Sequence, residues 1–435
     1  MNICMFTNTY LPHVGGVARS VAIFAEDLKE MGHKVLVVAP TYPDSDERPE
    51  DNDSEDGGVL RLPAIQKFNG SDFSLRIPIP FYIDEGIDEF QPDIIHSHHP
   101  YLLGDSALRA ARKRNLPLIF THHTLYEEYT HYVTPDSVSM KRFASVLSTE
   151  YANLCSRVVA PSQSIRNLIR ERGVRTPVSV IPTGVDTGFF HSGNGSSFRR
   201  RFNIPEQAVV VGHLGRLAPE KNLVFLAEAI VRVVRENRQV IFLVAGEGPS
   251  QQEIMEIFRR EGLEDRLVMP GKLTGKPLAD AYKAMDLFVF SSRSETQGLV
   301  LAEAMAAGVP VAALDASGVR EVVVDGKNGR LLEEEADEKR FASAVVKSLE
   351  DGEEMERWRA GALETGAVFD RRQCAKSLGR LYGATVGEAP AGIKPGPLEP
   401  WEAILTAIQT EWSLFAEKAR AVAQVVRKDG KGGSS

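Results

Sequence analysis

The sequence predicts an α/β protein built as two doubly wound parallel-sheet domains, and three observations predict it. Short apolar runs alternate with amphipathic helical stretches, the alternation starts afresh near Ala208, and a stretch rich in Gly, Ser and Arg, residues 191–203, separates the halves. Length agrees, because 435 residues exceed the roughly 250–300 at which a single core stops growing.

The first apolar run, residues 3–7, leads into a loop with Gly15 and Gly16, then into an amphipathic helix over Val17–Met31 and a strand over Lys34–Val38. Further buried-strand candidates are Ile94–His96, Leu118–Thr121, Val158–Ala160 and Val178–Ile181, with helices between them over Gly104–Arg114 and Met140–Leu154. Runs this apolar, spaced by helices, belong to a parallel sheet covered on both faces. The second half repeats the scheme. Ala208–Leu214 reads as a strand, Gly215–Lys221 as a loop, Asn222–Arg235 as a helix and Val240–Ala245 as a strand, followed by strands at Leu267–Met269, Leu287–Phe290 and Val309–Ala313 and a helix over Leu299–Ala307. Residues 338–383 are helical by pattern.

These elements place the first domain at 1–192, the second at 193–385, and a Pro/Gly linker with a C-terminal helix at 386–435. Two such domains facing a cleft would bind ligands at the carboxyl ends of their strands. Pro390, Pro395, Pro397 and Pro400 break any helix between 387 and 400. Beyond them Trp401, Leu405, Ile408, Trp412, Phe415, Ala419, Val422 and Val426 recur at helical steps, as in a helix that packs on the protein or a second copy, or one that lies on a membrane surface.

The formal net charge of −8 argues against nucleic-acid binding, which depends on basic surface. Three scattered cysteines, Cys4, Cys155 and Cys374, form neither a disulfide framework nor a Cys-rich zinc site and fit a reducing cytoplasm. No run reaches the roughly 18 apolar residues of a membrane span, and the start lacks the pattern of a signal peptide.

Glu295 and Glu303 stand in SETQGLVLAEAMAAGVP after a buried strand. With a helix beginning near Thr296, eight steps put the carboxylates about 12 Å apart along the axis. Acids with that spacing suit the hydroxyls of a ribose and a hexose, and the free amides around Gly298 and Leu299 suit the phosphate between them. Two solvated glutamates on a surface helix would give the same spacing. The loop GRLAPEKN places Arg216 and Lys221 after a strand, where two cations could neutralise a diphosphate leaving group. Gly15 and Gly16 offer backbone amides to a phosphate or make a tight turn. His96, His98 and His99, with His122 and His123, cluster after strands without the regular spacing of a zinc site.

Together these features resemble the retaining glycosyltransferases of family 4, which have the two-Rossmann GT-B fold. The resemblance covers residues 1–385 and is strongest in GRLAPEKN and SETQGLVLAEAMAAGVP. It implies that Glu295 lies by the donor sugar, that Glu303 binds ribose, and that Arg216 and Lys221 hold the diphosphate. It also implies that the Gly15–Gly16 loop closes over the ligands and that His123, the last His of THHT, contacts the donor sugar. His123, Arg216, Lys221 and Glu295 are thus the expected catalytic group. Front-face attack would need neither a protein nucleophile nor a metal, so no cofactor is expected beyond the nucleotide-diphosphate sugar as co-substrate.

THHTLYEEYTHYVTP, SETQGLVLAEAMA and LDASGVREVVVDGKNGRLL look like the branch that glucosylates diacylglycerol from UDP-glucose. ASGVRE stands where many family members carry a Gly-Gly-Pro-Glu-like sequence. A lipid acceptor implies a cytoplasmic enzyme, peripheral on the inner face of the cell membrane. Docking would fall to Arg109, Arg112, Lys113 and Arg114, or Arg166, Arg170, Arg172 and Arg175, or to Phe68, Phe73, Phe81 and Tyr82 near Arg76; solvated faces or a covered core account for the same residues. The competing expectations are transfer to a polysaccharide or undecaprenyl-linked sugar, and an inactive nucleotide-sugar-binding protein.

Overall fold

A computed structural model of the protein describes residues 1–13, 15–41, 58–65, 75–76, 80–126, 138–293, 295–388, 406, 409–411, 413–414 and 416–418. The chain divides into two compact units, one formed by Met1–Pro182 with Cys374–Ser435 and the other by Thr183–Gln373.

The first unit contains β1 (Asn2–Phe6), β2 (Lys34–Pro40), β3 (Val59–Leu62), β4 (Ala64–Ile65), β5 (Leu75–Arg76), β6 (Ile94–Ser97), β7 (Leu118–Thr121), β8 (Arg157–Ala160) and β9 (Val178–Val180). Its helices are α1 (Gly16–Glu30), α2 (Pro80–Phe90), α3 (Leu103–Lys113), α4 (Val138–Asn153) and α5 (Gln163–Glu171). Seven strands form one parallel sheet in the order β3-β2-β1-β6-β7-β8-β9, and β4 pairs with β5 in a small antiparallel ribbon. Side chains alternate across this sheet: Ile3 and Met5 of β1 enter one apolar cluster with Val21, Phe24 and Leu28 of α1, while Cys4 and Phe6 enter the other with Leu103, Ala107 and Leu108 of α3.

The second unit contains α6 (Thr187–His191), α7 (Gly195–Arg201), α8 (Leu223–Glu236), α9 (Gln251–Arg260), α10 (Lys276–Ala284), α11 (Leu299–Ala306), α12 (Glu338–Glu350) and α13 (Gly352–Val368). Its strands are β10 (Val209–Leu214), β11 (Val240–Ala245), β12 (Leu267–Gly271), β13 (Leu287–Phe290), β14 (Val311–Leu314) and β15 (Gly329–Leu332), in the parallel order β12-β11-β10-β13-β14-β15. Phe242 and Val244 face α8 and α12, and Ile241, Leu243 and Ala245 face the opposite cluster with α10 and α11. Both sheets reverse their order beside the first strand, at β1/β6 and at β10/β13, and that is where ligands bind in open sheets of this kind.

Two features differ from the sequence expectation. Residues 191–203 are packed structure: Asp186 and Asn194 cap α6 and α7, and a Cβ on Gly193 or Gly195 would lie 2.3 Å from Ala279 O or 2.1 Å from Lys283 O of α10. The division therefore falls at Pro182/Thr183. Second, α14 (Arg371–Gly387) does not finish the second unit, because from Cys374 onward it belongs to the first, with Cys374, Ala375, Leu378 and Tyr382 buried in the cluster around Ile3 and Val35.

All eight residues of the expected C-terminal apolar stripe, Trp401 to Val426, lie outside the described residues. The described part of that segment is helical and packs on the protein. Leu414 joins the cluster of Leu103 and Leu108, Lys418 Nζ donates to Asp105 Oδ2 at 2.7 Å, and Glu411 pairs with Arg109.

Candidate functional site

In the second unit the loops that follow β10 and β13 meet at the switch point. Lys221 Nζ donates to Glu295 Oε1 at 2.5 Å, with the two side chains 17% and 16% exposed. Burial raises the cost of the Glu295 charge, yet the Lys221 ammonium and the hydrogen bonds from Lys221 and Ser292 hold its carboxyl below the ordinary range. Arg216, on the same loop and half exposed, pairs with Glu220. Ser291 Oγ donates to the carbonyls of Lys221 and Asn222, each at 3.0 Å, so the end of β13 fixes the cationic loop. Lys221 is thereby held at Glu295, four residues before Leu299 and the amides that open α11, and Arg216 stands on the same loop as Lys221.

That helix begins at Leu299, with Gly298 at φ 71° as its N-cap. Glu295 therefore sits in the preceding loop, and the spacing worked from a helix starting at Thr296 does not apply. Glu303 lies inside α11, 1% exposed, and its Oε2 accepts from the Tyr282 hydroxyl at 2.7 Å. A buried acid held this way is not a solvated surface glutamate.

Several supports escaped the sequence reading. Gly246 (φ 147°) lies against Gly215 so closely that a Cβ would stand 1.8 Å from Gly215 O, and Gly248 approaches Leu217 O in the same way at 2.3 Å. Leu217 N donates to Glu247 O at 2.9 Å, and Ser250 N to Leu217 O at 2.9 Å, so residues 246–250 clamp the Arg216 loop. Gly318, in ASGVRE, has φ 77° and packs on the Glu295 loop, where a Cβ would meet Gln297 N at 2.7 Å and Glu295 O at 2.9 Å. Gln297, 5% exposed, exchanges two hydrogen bonds with the Thr183 backbone, at 2.7 and 2.5 Å. The signal for the clamp was a Gly-x-Gly directly after the buried run Val240–Ala245. His213 of β10 is a further buried group: its Nδ1 donates to Val289 O at 3.1 Å, and burial pushes its pKa down to about 4.

In the first unit the histidines gather at the carboxyl ends of β6 and β7. His96 Nδ1 meets the Tyr382 hydroxyl at 2.6 Å and its Nε2 meets Thr121 Oγ1 at 2.7 Å. His98 Nδ1 lies 2.8 Å from His123 Nε2. His99 Nδ1 accepts from Asn8 N at 3.1 Å, which ties the end of β1 to that of β6. Burial pushes His96 and His99 down to about 3, and burial with the Arg172 charge pushes His122 down to about 4. His98 and His123 fall well below the ordinary value through burial and the surrounding histidines. All five rings are neutral at physiological pH. Among the described residues no three His, Cys, Asp or Glu side chains are grouped to hold a metal ion.

Gly15 caps α1 in an extended conformation and Gly16 opens that helix, with open space where its Cβ would be. The cations at the end of α3, read above as a docking face or as an ordinary solvated face, have polar partners on the protein. Arg109 pairs with Glu411, Arg112 Nη1 donates to Ser413 Oγ at 3.0 Å, Lys113 pairs with Asp84, and Arg114 pairs with Asp84 and Asp88. On α5, Arg170 is exposed, as is Arg175 beyond its end, and Arg166 is half-buried. Phe68 and Phe73 lie outside the described residues, as do the side chains of Arg76, Phe81 and Tyr82.

The fold, two doubly wound parallel sheets in these strand orders, is that of the GT-B glycosyltransferases. The Anabaena protein Alr3699/HepE, solved with UDP, aligns with a TM-score of 0.71 at 21% identity over 88% of this chain and 100% of that one. WaaG, a glycosyltransferase of lipopolysaccharide biosynthesis, aligns with a TM-score of 0.66 at 14% identity, covering 87% of this chain and 99% of that one. The pattern described as Glycosyltransferase Family 4 matches residues 14–189, and that of Glycosyl transferases group 1 matches 196–365. An alpha-monoglucosyldiacylglycerol synthase of Streptococcus pneumoniae is 30% identical over 80% of this chain and 78% of its own length. A GDP-mannose-dependent alpha-mannosyltransferase of Mycolicibacterium smegmatis is 32% identical over 89% and 98%. The chain belongs to glycosyltransferase family 4.

Proposed function

We propose that this chain is a retaining, metal-independent glycosyltransferase that transfers glucose from UDP-glucose to diacylglycerol at a membrane surface. The observation that carries the donor half is the meeting of Lys221 and Glu295 at the switch point of the second sheet, four residues before the first residue of α11, with Arg216 on the same loop as Lys221. In this reading the donor diphosphate accepts from Arg216, Lys221 and the amides of Gly298 and Leu299. The two cations stabilise the charge that grows on the leaving group. Glu295, freed in part from Lys221, accepts from a hexose hydroxyl, and buried Glu303, oriented by Tyr282, accepts from the ribose. His123 touches the donor sugar and the Gly15–Gly16 loop offers amides. Attack comes from the side the leaving group departs, and a phosphate oxygen takes the acceptor proton, which leaves the anomeric configuration retained.

The acceptor and the sugar rest on the relatives from Streptococcus pneumoniae and Acholeplasma laidlawii, both alpha-monoglucosyldiacylglycerol synthases, at 30% and 26% identity. No described helix is long and apolar enough to cross a membrane, so the lipid would be reached from its surface, and Arg166, Arg170 and Arg175 are cations placed to meet anionic headgroups at about 1 kcal/mol each. A second reading, mannosyl transfer from GDP-mannose, is favoured by the mycobacterial-type relative at 32% identity along nearly its whole length.

Radiolabelled UDP-glucose and GDP-mannose, each offered with diacylglycerol in mixed micelles and with soluble sugar acceptors, separate these readings. Label from UDP-glucose in a glycolipid that mild alkali converts to water-soluble glucosylglycerol supports the first. Label from GDP-mannose alone supports the second, and donor binding without product in any mixture would sink both.

A further inference from the structure

At the open side of the second sheet, between the edge strand β15 and helix α12, lies a cavity of about 310 Å³. It is lined by Arg330, Leu332, Arg340, Ser343, Ala344 and Lys347. That volume stands at the lower end of the roughly 300–1,000 Å³ of small-molecule sites. The spacing in the chain explains the lining. Arg340, Ser343, Ala344 and Lys347 follow one another at steps of three and four, so they share one face of α12. Arg330 and Leu332 are two apart on β15 and share one face of that strand. Leu332 packs on the cluster of Phe341 and Val345 and, with Ala344, supplies the apolar part of the lining.

The polar part is two guanidiniums, an ammonium and a hydroxyl, a set made almost wholly of hydrogen-bond donors. Among the described residues Lys347 and the Ser343 hydroxyl have no partner. The two arginines are only loosely committed. Arg340 meets Glu333 at 3.0 Å with the side chains 61% and 69% exposed, and exposed pairs of this kind contribute little. Arg330 meets Asp325 at 3.3 Å and Glu354 at 3.4 Å, longer than the about 2.7–2.9 Å of a close charge-assisted bond. Its guanidinium lies 5.2 Å from the centre of the buried Trp358 ring, which orients it. Donors that come from a strand on one side and a helix on the other suit an anion with three outward oxygens better than a planar carboxylate with two.

We propose that the cavity between β15 and α12 binds a small phosphate ester, with Arg330, Arg340, Lys347 and Ser343 donating to the phosphate and Leu332 and Ala344 against its carbon part. The site shares no residue with the one built on the loops after β10 and β13, and β14 separates β15 from β13 in the sheet. The proposal does not depend on the glycosyltransferase reading.

Calorimetric titration of the full chain with glycerol 3-phosphate, inorganic phosphate and glycerol tests it. Glycerol 3-phosphate should bind, inorganic phosphate should bind more weakly for want of the apolar contact, and glycerol should not bind. Arg340→Gln and Lys347→Gln change exposed side chains, so the fold is kept. Each removes a charge-assisted contact and should weaken glycerol 3-phosphate about tenfold or more. Lys347→Arg keeps the charge and should retain most of the affinity, and Lys221→Met, on the loop after β10, should leave it unchanged. Affinity that survives both Gln variants overturns the proposal, as does affinity lost with Lys221→Met instead, which would place the ester on the donor-site cations. Inorganic phosphate bound as tightly as the ester overturns the assignment of the ligand to an ester.

Discussion

Acidification from about pH 7 to about pH 5 should open the first unit before the second. His96, His99 and His122 are held neutral in the fold, with pKa values near 3, 3 and 4 against an ordinary 6.5. The sign follows from proton uptake. The unfolded chain binds a proton at each below about pH 6.5 and the folded one does not, so the stability these rings allow is complete above 6.5 and is lost as pH falls toward their folded values. Each ring loses about 1.4 kcal/mol per pH unit in that window, hence about 2 kcal/mol by pH 5 and about 6 kcal/mol for the three. His98 and His123 shift in the same direction and deepen the loss. The second unit holds one such ring, His213, and loses about 2 kcal/mol. Against a typical domain stability of about 5–15 kcal/mol, the first figure is a large share of the whole and the second is a small one. The Glu295 carboxyl, held low, gives up its contribution only below the ordinary carboxylate range, outside this window. Hydrogen exchange followed by mass spectrometry on peptides from β6 and β7, against β10 and β11, reads the two units separately. His96→Gln keeps polar contacts to Tyr382 and Thr121 and should restore about 2 kcal/mol of the first unit's loss. Equal protection of β6 and β7 at both pH values, or earlier opening of β10 and β11, would refute the account of these rings as buried and neutral.

Other outcomes test the donor site. Gly246→Ala, with its Cβ 1.8 Å from Gly215 O at a left-handed φ, should displace the Arg216 loop and destabilise by more than about 1 kcal/mol; an unchanged melting temperature would show that the clamp is not tight. Lys221→Met should weaken sugar-nucleotide binding at least about tenfold, or 1.4 kcal/mol, and calorimetric titration giving wild-type affinity would remove Lys221 from the site. Tyr282→Phe removes the hydroxyl that donates to the buried Glu303 carboxylate at 2.7 Å and should cost about 1–3 kcal/mol of stability, read by denaturant titration. EDTA should leave the transfer rate unaltered, since Arg216 and Lys221 supply the charge a metal would; activity that falls on chelation and returns with a divalent cation contradicts this.

Elements whose every residue is buried were legible in the sequence. Leu118–Thr121, Val240–Ala245 and Leu287–Phe290 stand where their apolar runs placed them, because a strand covered on both faces needs no polar alternation. The edge strands β3 and β15 were missed: VLRL and GRLL each contain an arginine, and buried Arg61 donates from its guanidinium to Leu11 O at 2.7 Å and Pro40 O at 3.3 Å, partners far away in sequence. Residues 191–203 read as a linker because small residues there mark close packing on α10 as readily as freedom from it, and Phe189, Phe190, Phe198 and Phe202 were the contrary signal. In the site, Arg216, Lys221 and Glu295 were visible as charges on loops after strands. Gly246, Gly318 and Gln297 were not, since what they supply is close approach and backbone pairing, which only the folded chain reveals. The arginines of α3 looked free because their acidic partners, Asp84, Asp88 and Glu411, lie as far as 302 residues away.

The return of α14 to the first sheet makes that unit discontinuous, and synthesis order then matters. A nascent chain that has emerged only to Pro182 lacks Cys374, Ala375, Leu378 and Tyr382, so the apolar cluster that Ile3, Met5 and Val35 form with α1 on one face of its sheet is still incomplete. The second unit, contiguous in sequence, can close while the first waits, reversing the usual amino-to-carboxyl order of domain folding. A chain truncated before Cys374 should accordingly retain a protease-resistant core spanning Thr183 onward and lose the amino-terminal half to digestion.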